Sequence, residues 1–268
     1  MKGIVNIGNS CYMNSALQLL FNSNDFCKII STHNNLIPLY NNIIKYHNRN
    51  DNILNPTEIK QFIDNITKQF RGNIQQDSSE FIIYLLDIID KYCHDSLYRS
   101  FGIETNINIK CKLLNCLNES IHIENDLFLH LDITDNLDDS YREYKSMVKL
   151  IDKNAYNCEK CKKYTIGRKK IEIIKWPSNL IIVLKRFDNM MRKNNKLITI
   201  PLEWRHGYIL KGGIIHMGDT MGGHYIYYGN KNNNWYVAND MKISTIDSIE
   251  TFMKRSGSQS YILYYTKN

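Results

Sequence analysis

The chain has 268 residues, with 34 lysines and arginines against 27 aspartates and glutamates, for a formal net charge of +7. This length suits one large domain or two small ones. No apolar run approaches the ~20 residues of a membrane span, and the N-terminus lacks the apolar region of a secretory signal. We therefore expect a cytoplasmic or nuclear protein that has no membrane partner. The seven cysteines, an odd number, argue against a disulfide framework and favour thiol chemistry or metal binding.

The first hundred residues carry mostly helical periodicity. Apolar residues recur at i, i+3 and i+4, which is the pattern of one buried helix face. Asp77 or Ser78 is placed to cap the strongest helix, with Glu80 in capping-box position. The helical segments that this spacing predicts are the run after Cys11, Phe26–Ile30, Leu36–Tyr46 with an interruption at Pro38, Thr57–Phe70 and Gln75–Tyr92.

The period changes to two after Gly102, which indicates strands. Residues 135–155 are polar, and we expect a loop followed by a short helix there. The continuous apolar run Leu180–Leu184 predicts a central strand. The fold class is therefore α+β, with a helical half packed on an antiparallel sheet and a β insertion between them. The predicted strands are Ile103–Ile109, two within Ile121–Ile133, Ile171–Ile174, Leu180–Phe187, Leu197–Ile200, Tyr208–His216, His224–Gly229, Trp235–Asn239 and Ser260–Tyr265.

Cys11 stands where a Gly/Asn/Ser loop turns into an apolar helical run. The N-terminus of a helix carries partial positive charge and unpaired N–H groups. Both favour thiolate over thiol, so this is a suitable place for a reactive cysteine. A small cysteine that merely packs the start of a helix is the alternative.

His224 is the candidate base for this thiol. It follows two glycines and heads a tyrosine-rich strand, GGHYIYY. A cysteine at a helix start and a histidine on a distant strand form the arrangement of a papain-like thiol hydrolase. The next strand ends in Asn239 and Asp240, and a hairpin would bring it back beside His224 to orient the imidazole. A simple turn at Asn239-Asp240 is the competing interpretation.

Four segments stand in this order along the chain: GNSCYMNSALQLLF, QQDSSEF, YNCEKCKKYTIGRKKIEIIKWPSNLIIVLKRFD, and GGHYIYY with WYVAND. Together they resemble the ubiquitin-specific proteases, a papain-like family of cysteine peptidases. GNSCYMNSALQLLF looks like the family's Cys box, and GGHYIYY with WYVAND resembles its His box. Between them lie QQDSSEF and YNCEKCKKYTIGRKKIEIIKWPSNLIIVLKRFD, which resemble two further family segments. The resemblance implies a helical thumb (about 1–100), β fingers (about 101–170) and an antiparallel palm (about 171–268). It also implies little more than a catalytic domain, with no regulatory domain ahead of Cys11.

The resemblance also implies roles for individual residues. Cys11 would be the nucleophile, His224 its base and Asn239 the residue that orients the base, with Asp240 assisting. Asn6 aligns with the family's oxyanion asparagine, although it can also act as a loop cap. The residues that the resemblance places against the C-terminal tail of ubiquitin are Asp77, whose other role is a plain N-cap, Gly222, Gly223 and Tyr225.

A second set of cysteines has metal-ligand spacing. Cys158-x-x-Cys161 has the usual separation for zinc, while Cys111 and Cys116 are more widely separated but still within known spacings. Because the family places such pairs at the tip of its fingers, we expect a structural zinc held by all four thiolates. Four reduced thiols in a finger that has lost its metal are the alternative.

The predicted function is hydrolysis of the peptide or isopeptide bond after the last glycine of ubiquitin, by a monomer that acts on ubiquitin and ubiquitinated proteins. Two alternative functions would have the same Cys and His boxes: a protease for another ubiquitin-like modifier, and an inactive scaffold that binds ubiquitin. A nucleic-acid-binding protein is a third, since Lys160–Lys170 is a basic cluster. We expect no nucleic-acid partner, because the chain lacks the interleaved aromatic and basic residues of single-strand binders.

Overall fold

The computed structural model describes residues 1–48, 53–190, 192–219 and 222–267. Within these ranges, none of the helices combines the length and the apolar character needed to cross a membrane. The helices are α1 (Cys11–Phe21), α2 (Asn24–Ser31), α3 (Ile37–His47), α4 (Thr57–Ile66), α5 (Ser78–Phe101), α6 (Leu137–Tyr144) and α7 (Ile249–Ser256).

The predicted helices of the N-terminal half are present, with different ends. Pro38 does not interrupt α3 but lies in its first turn, where a missing N–H costs no hydrogen bond. Helix α4 ends at Ile66, before the predicted Phe70. Asp77 is the N-cap of α5, and its carboxylate accepts the backbone N–H groups of Ser79 and Glu80. This helix begins three residues after the predicted Gln75 and continues to Phe101.

The strands form one large sheet and three smaller ones. The large sheet has the order β15-β14-β13-β12-β16-β10-β5, with β11 paired to β12. A four-stranded sheet has the order β4-β3-β9-β6, and β1–β2 and β7–β8 are separate pairs. The strands are β1 (Gly3–Ile4), β2 (Ile53–Leu54), β3 (Ile103–Cys111), β4 (Glu119–Asp126), β5 (Phe128–Leu131), β6 (Val148–Leu150), β7 (Tyr156–Cys158), β8 (Lys163–Thr165), β9 (Gly167–Lys175), β10 (Asn179–Leu184), β11 (Glu203–Trp204), β12 (Tyr208–Gly218), β13 (Gly223–Lys231), β14 (Asn234–Asn239), β15 (Lys242–Ile246) and β16 (Ser260–Lys267).

Several strand predictions need correction. Strand β10 is fully buried as expected, but it lies second from one edge of the large sheet. It pairs in parallel with β5, so the sheet is not entirely antiparallel, and the segment 101–170 contributes to both larger sheets. Leu197–Ile200 is not a strand. It makes one isolated bridge at Thr199, and its apolar residues Ile198 and Ile200 are buried because they pack in the core that includes α7. Helix α7 and the strands β1, β2, β6, β7, β8, β11 and β15 were not predicted. In residues 135–155 the helix comes first, since α6 begins at Leu137, and a strand, β6, follows it.

Helix α1 is the centre of the helical half. All eleven of its residues are buried. It contacts α2 and α5 as well as β12, β13 and β14 of the large sheet. Burial of an apolar side chain contributes about 1.5–3 kcal/mol, so this helix is held firmly by packing. The consequence is that the first turn of α1 is fixed beside the start of β13.

Arg186, just after β10, is a buried side chain that hydrogen-bonds to several backbone segments. Its side chain is completely inaccessible to solvent, and burial lowers the pKa of its guanidinium to about 10. It donates hydrogen bonds to the backbone carbonyls of Asn194 at 2.8 Å, Lys196 at 3.1 Å and Gly257 at 2.6 Å, and to that of Ser260. One side chain therefore connects the start of the segment after β10 with a later part of that segment and with the turn between α7 and β16.

We predict that Arg186→Met lowers the free energy of unfolding by on the order of 3 kcal/mol, because each buried carbonyl left without a donor costs about 1–3 kcal/mol. Urea unfolding followed by fluorescence measures this. Arg142→Met is the matched control: Arg142 is 73% exposed and pairs with Asp139 on the surface, so the change should stay within about 0.5 kcal/mol. Equal losses in the two variants would contradict the assignment.

Candidate active site

Cys11 is the first residue of α1, as predicted. The turn that precedes it uses left-handed backbone at Gly8 (φ 105°) and Asn9 (φ 49°), conformations that glycine and asparagine adopt readily. Ser10 is the N-cap residue, but its hydroxyl makes no capping bond to the helix. The N–H groups of the first helical turn therefore remain available near the sulfur. The Cys11 side chain is 4% exposed.

The imidazole of His224 lies between Cys11 and Asn239. Its Nε2 is 2.7 Å from Asn239 Oδ1, a distance at which Nε2–H donates to the amide oxygen. This bond selects the tautomer and leaves Nδ1 for the cysteine. The pKa of His224 is raised to about 9, chiefly by a hydrogen bond with Cys11 and further by the bond to Asn239, while burial opposes both. The structure therefore brings the three predicted residues together, with His224 next to Cys11 and hydrogen-bonded to Asn239.

Asn6 is held on both sides of its amide. Its Nδ2 donates to Asp240 Oδ2 at 2.8 Å, and its Oδ1 accepts the backbone N–H groups of Gly8 at 3.1 Å and Ser10 at 3.2 Å. Asp240 Oδ1 accepts a second amide, that of Asn14, at 2.7 Å. Asp240 thus engages two asparagines, and within the described residues it makes no hydrogen bond to the His224 ring.

A cleft of about 270 Å³ runs past Cys11 between the helical half and the large sheet. Across it, the backbone N–H of Gly223 donates to Gln75 Oε1 at 3.1 Å. A methyl group on Gly223 would lie 2.0 Å from His216 Nε2, so this wall of the cleft requires glycine, whereas Gly222 has open space apart from Gln75. The cleft is lined by Asn9, Cys11, Gln75, Gln76, Asp77, Glu80, Phe187, His216, Asp219, Gly222, Gly223 and Tyr225.

Asp77 and Tyr225 form one unit on the cleft wall. The Oδ2 atom of Asp77 accepts the hydroxyl groups of Tyr225 and Tyr261, each at 2.9 Å. Its Oδ1 atom caps α5. Both carboxylate oxygens are therefore engaged within the chain, and burial together with the Asp77 charge raises the pKa of Tyr225 far above its ordinary range.

Sequence reasoning did not single out Gln75 and His216, which line the cleft, or Tyr261, which binds Asp77. Gln75 lies within the QQDSSEF segment that the resemblance singled out, so that segment was an available signal. Tyr261 had no distinguishing signal. His216 is 3% exposed, and burial lowers its pKa to about 4, which keeps the ring neutral. Its Nδ1 is buried without a hydrogen-bond partner among the described residues. The lining of the cleft thus includes a neutral histidine, His216, while His224, which favours its charged form, lies next to Cys11.

A larger polar cleft, of about 560 Å³, lies at the opposite end of α1, near Asn22, His47 and Lys231. It contains none of the predicted site residues. Volume alone would therefore point away from the cysteine and histidine, and we place the site by the converging reactive groups instead.

The four candidate metal ligands are brought together at the far end of the four-stranded sheet. Their sulfur atoms all lie within 4.8 Å of one another, with Cys111 and Cys161 4.0 Å apart and Cys116 and Cys158 3.8 Å apart. Each pair lies at a tight turn with a left-handed residue, Asn115 or Lys162. Tetrahedral zinc with Zn–S bonds of about 2.3 Å separates its sulfurs by about 3.8 Å, so this cluster can bind a metal ion.

The family model of ubiquitin carboxyl-terminal hydrolases matches residues 2–265. The chain therefore belongs to that family. Similar proteins include ubiquitin carboxyl-terminal hydrolase 16 of Arabidopsis thaliana, 26% identical over 99% of this chain and 30% of the relative. A probable ubiquitin carboxyl-terminal hydrolase 16 of Schizosaccharomyces pombe is 28% identical over 99% of this chain and 66% of the relative. Ubiquitin carboxyl-terminal hydrolase 42 of Homo sapiens is 24% identical over 99% of this chain.

The chain spans about a third of the length of the first relatives, 30% and 33% of the two Arabidopsis thaliana proteins. The α+β architecture expected from the sequence is that of this family, and the resemblance stated from the four segments is confirmed by the family match.

We predict that Asn239→Ala lowers the pKa of His224 below its value of about 9, because one of the interactions that favour the charged ring is removed. Titration of the histidine ring carbons by NMR measures the shift. His216, whose pKa is about 4, serves as the internal control and should not move. An unchanged His224 titration would show that Asn239 does not support the charged imidazole.

Proposed function

We propose that this chain is a deubiquitinating cysteine protease, which hydrolyses the peptide or isopeptide bond after the C-terminal glycine of ubiquitin. The observation that carries the proposal is the placement of His224 next to Cys11, with its Nε2 2.7 Å from Asn239 Oδ1, beside a cleft lined by Cys11, Gly222 and Gly223. The family match across the chain supports the choice of substrate. The similar proteins are named ubiquitin carboxyl-terminal hydrolases, and these names state that they act on ubiquitin.

The proposed reaction is acyl transfer through a thioester. His224 takes the proton of the Cys11 thiol, and the thiolate attacks the carbonyl carbon of the last glycine. The protonated imidazole then gives its proton to the departing amine. Water next attacks the thioester with His224 as base, which releases ubiquitin and restores the thiol. Asn239 keeps the ring in the tautomer that these transfers require.

Asn6 and the backbone N–H of Cys11 are the proposed oxyanion donors. One N–H of the Asn6 amide is committed to Asp240, and within the described residues the other is not engaged. Cys11 begins α1, so its backbone N–H lacks an acceptor within the helix. Removal of one such donor from a well-studied protease costs roughly 10²–10³ in kcat.

The proposed path of the ubiquitin tail is the cleft that contains Gly222 and Gly223. The tight packing of Gly223 against His216 supports a narrow channel that admits glycine and rejects larger side chains. Asp77 and Tyr225 would form its wall. Because both oxygens of Asp77 already accept hydrogen bonds, any arginine of the tail would meet an anchored carboxylate of fixed direction.

We also propose that Cys111, Cys116, Cys158 and Cys161 hold a structural zinc ion. The sulfur separations and the all-thiolate donor set support zinc. When bound, the ion would cross-link the two turns at the end of the four-stranded sheet and would take no part in the reaction.

The proposed setting is a monomer in the cytoplasm or nucleus that acts on ubiquitin conjugates and has no nucleic-acid or membrane partner. All seven cysteines are unpaired in the structure, as is usual in a reducing compartment.

The test of the proposed function is reaction with ubiquitin that carries a C-terminal electrophile, followed by peptide mapping. We expect an adduct at Cys11, and none in Cys11→Ala. Cys93→Ala is the matched control, since Cys93 is also buried but lies on α5 outside the cleft, and it should label normally.

The same experiment separates the rivals when it includes electrophiles made from other ubiquitin-like modifiers. Labelling by another modifier but not by ubiquitin would assign a different substrate. Binding of ubiquitin without any adduct would indicate a scaffold, and an adduct at another cysteine would overturn the choice of nucleophile.

The zinc proposal has its own measurement. Elemental analysis of the purified chain should find about one zinc per chain, and Cys158→Ser should lose the metal and unfold at lower temperature, because removal of a thiolate ligand weakens a site that contributes directly to folding. Cys27→Ser, on α2, should keep the metal. A metal content unchanged by Cys158→Ser would contradict the four-cysteine assignment.

A further inference from the structure

Asn14 lies one helical turn after Cys11 and belongs to none of the predicted site groups. Its side chain is 2% exposed. Its Nδ2 donates to Asp240 Oδ1 at 2.7 Å and approaches the backbone carbonyls of Val5 at 3.2 Å and Ile4 at 3.4 Å. Asn14 therefore connects the catalytic helix to the end of β14 and to the segment that leads to Asn6.

Asp240 is the bridge between Asn14 and Asn6. Each of its carboxylate oxygens accepts one asparagine amide, Oδ1 from Asn14 and Oδ2 from Asn6. Its backbone is left-handed (φ 49°), and its carbonyl accepts the N–H of Ile4 at 2.9 Å. With both oxygens engaged, the carboxylate cannot rotate without breaking a charge-assisted bond. The direction of the Asn6 amide is thus coupled to the position of Asn14.

Only the nitrogen of the Asn14 amide has hydrogen-bond partners. Its Oδ1 is buried and has no hydrogen-bond partner among the described residues. A buried polar atom without a partner is unfavourable, and a leucine of similar shape would avoid that cost. Asn42 has the same unpartnered oxygen, so what distinguishes Asn14 is its partner: the carboxylate that accepts its N–H also holds the amide of Asn6.

We propose that Asn14 is a positioning residue for the oxyanion donor: through Asp240 it fixes the direction of the Asn6 amide. The inference rests on the proposed function, since the oxyanion arises only in that reaction. Under this inference, two separate sets of contacts orient the groups of the site. Asn239 orients the base His224, and the Asn14–Asp240 pair orients Asn6.

The test compares Asn14→Leu with Asn42→Leu in steady-state hydrolysis of a ubiquitin C-terminal amide. Asn42 is a close match: it is fully buried, its Oδ1 also lacks a partner among the described residues, and its Nδ2 donates to a backbone carbonyl and a carboxylate, those of Pro38 and Glu58. We expect Asn14→Leu to lower kcat by about 10–10²-fold with KM within about twofold, because the transition state alone is affected. Asn42→Leu should keep kcat.

Double variants identify the route of the effect. In an Asn6→Ala background, Asn14→Leu should cause no further loss of kcat, because the group that it positions is already absent. In an Asn239→Ala background the two losses should multiply. Alkylation of Cys11 by iodoacetamide forms no oxyanion, so Asn14→Leu should leave its rate unchanged.

Asp240→Asn covers the case in which Asn14→Leu does not fold, since it keeps the shape of the bridge but presents an amide N–H₂ to one of the two donors. It should lower kcat similarly, again without effect in the Asn6→Ala background. Three outcomes would overturn the inference while the proposed function stands. They are losses of kcat that multiply with that of Asn6→Ala, a change confined to KM, and slower alkylation of Cys11. If the wild-type chain turns over no modifier, the proposed function and the inference both fall.

Discussion

The packing of α1 against β13 is the constraint on which the rest of the site depends. Cys11 starts the helix and His224 is the second residue of the strand, so the distance between thiol and imidazole is set where two hydrophobic surfaces meet. A buried helix cannot shift along its axis without opening cavities, each of which is costly. The reactive pair therefore inherits its precision from the core rather than from a loop.

The start of the chain is fastened to the same place. The backbone N–H of Ile4 donates to the carbonyl of Asp240, and Gly3 lies so close to Met241 that a methyl group would stand 2.2 Å from its carbonyl oxygen. Asn239 and Asp240 are neighbours in sequence but face different partners, because the chain turns into the left-handed region at Asp240. The end of β14 thereby supplies one residue that contacts His224 and one that contacts Asn6 and Asn14.

Sequence periodicity predicted the positions of helices and strands better than it predicted which strands pair. Helices α1 to α5 followed from apolar spacing because each has a buried face, and Asp77 followed from its side-chain chemistry as a cap. The parallel pairing of β5 with β10 could not follow, since a strand's own pattern does not identify its neighbour. Leu197–Ile200 had the apolar content of a strand because it is buried, not because it is paired.

The candidate site divides in the same way. Cys11, His224 and Asn239 were found because their residue types and positions imply a reaction. Asn14 and His216 were not, since their residue types and sequence positions do not by themselves imply a reaction, as the position of His224 after two glycines does. Their surroundings, a carboxylate bridge for one and the aromatic rings of Phe187 and Tyr225 for the other, exist only in the folded chain.

The hydrogen bond from Gly223 to Gln75 spans the groove in the free chain. A peptide that enters there must exchange this bond for its own, and such an exchange yields little net free energy, because one amide contact replaces another. Affinity has to come from surfaces outside the groove. Under the proposed function, a short peptide with the right last residues should therefore bind weakly, and most of the affinity would come from the folded body of the modifier, while the narrow channel excludes tails with larger side chains.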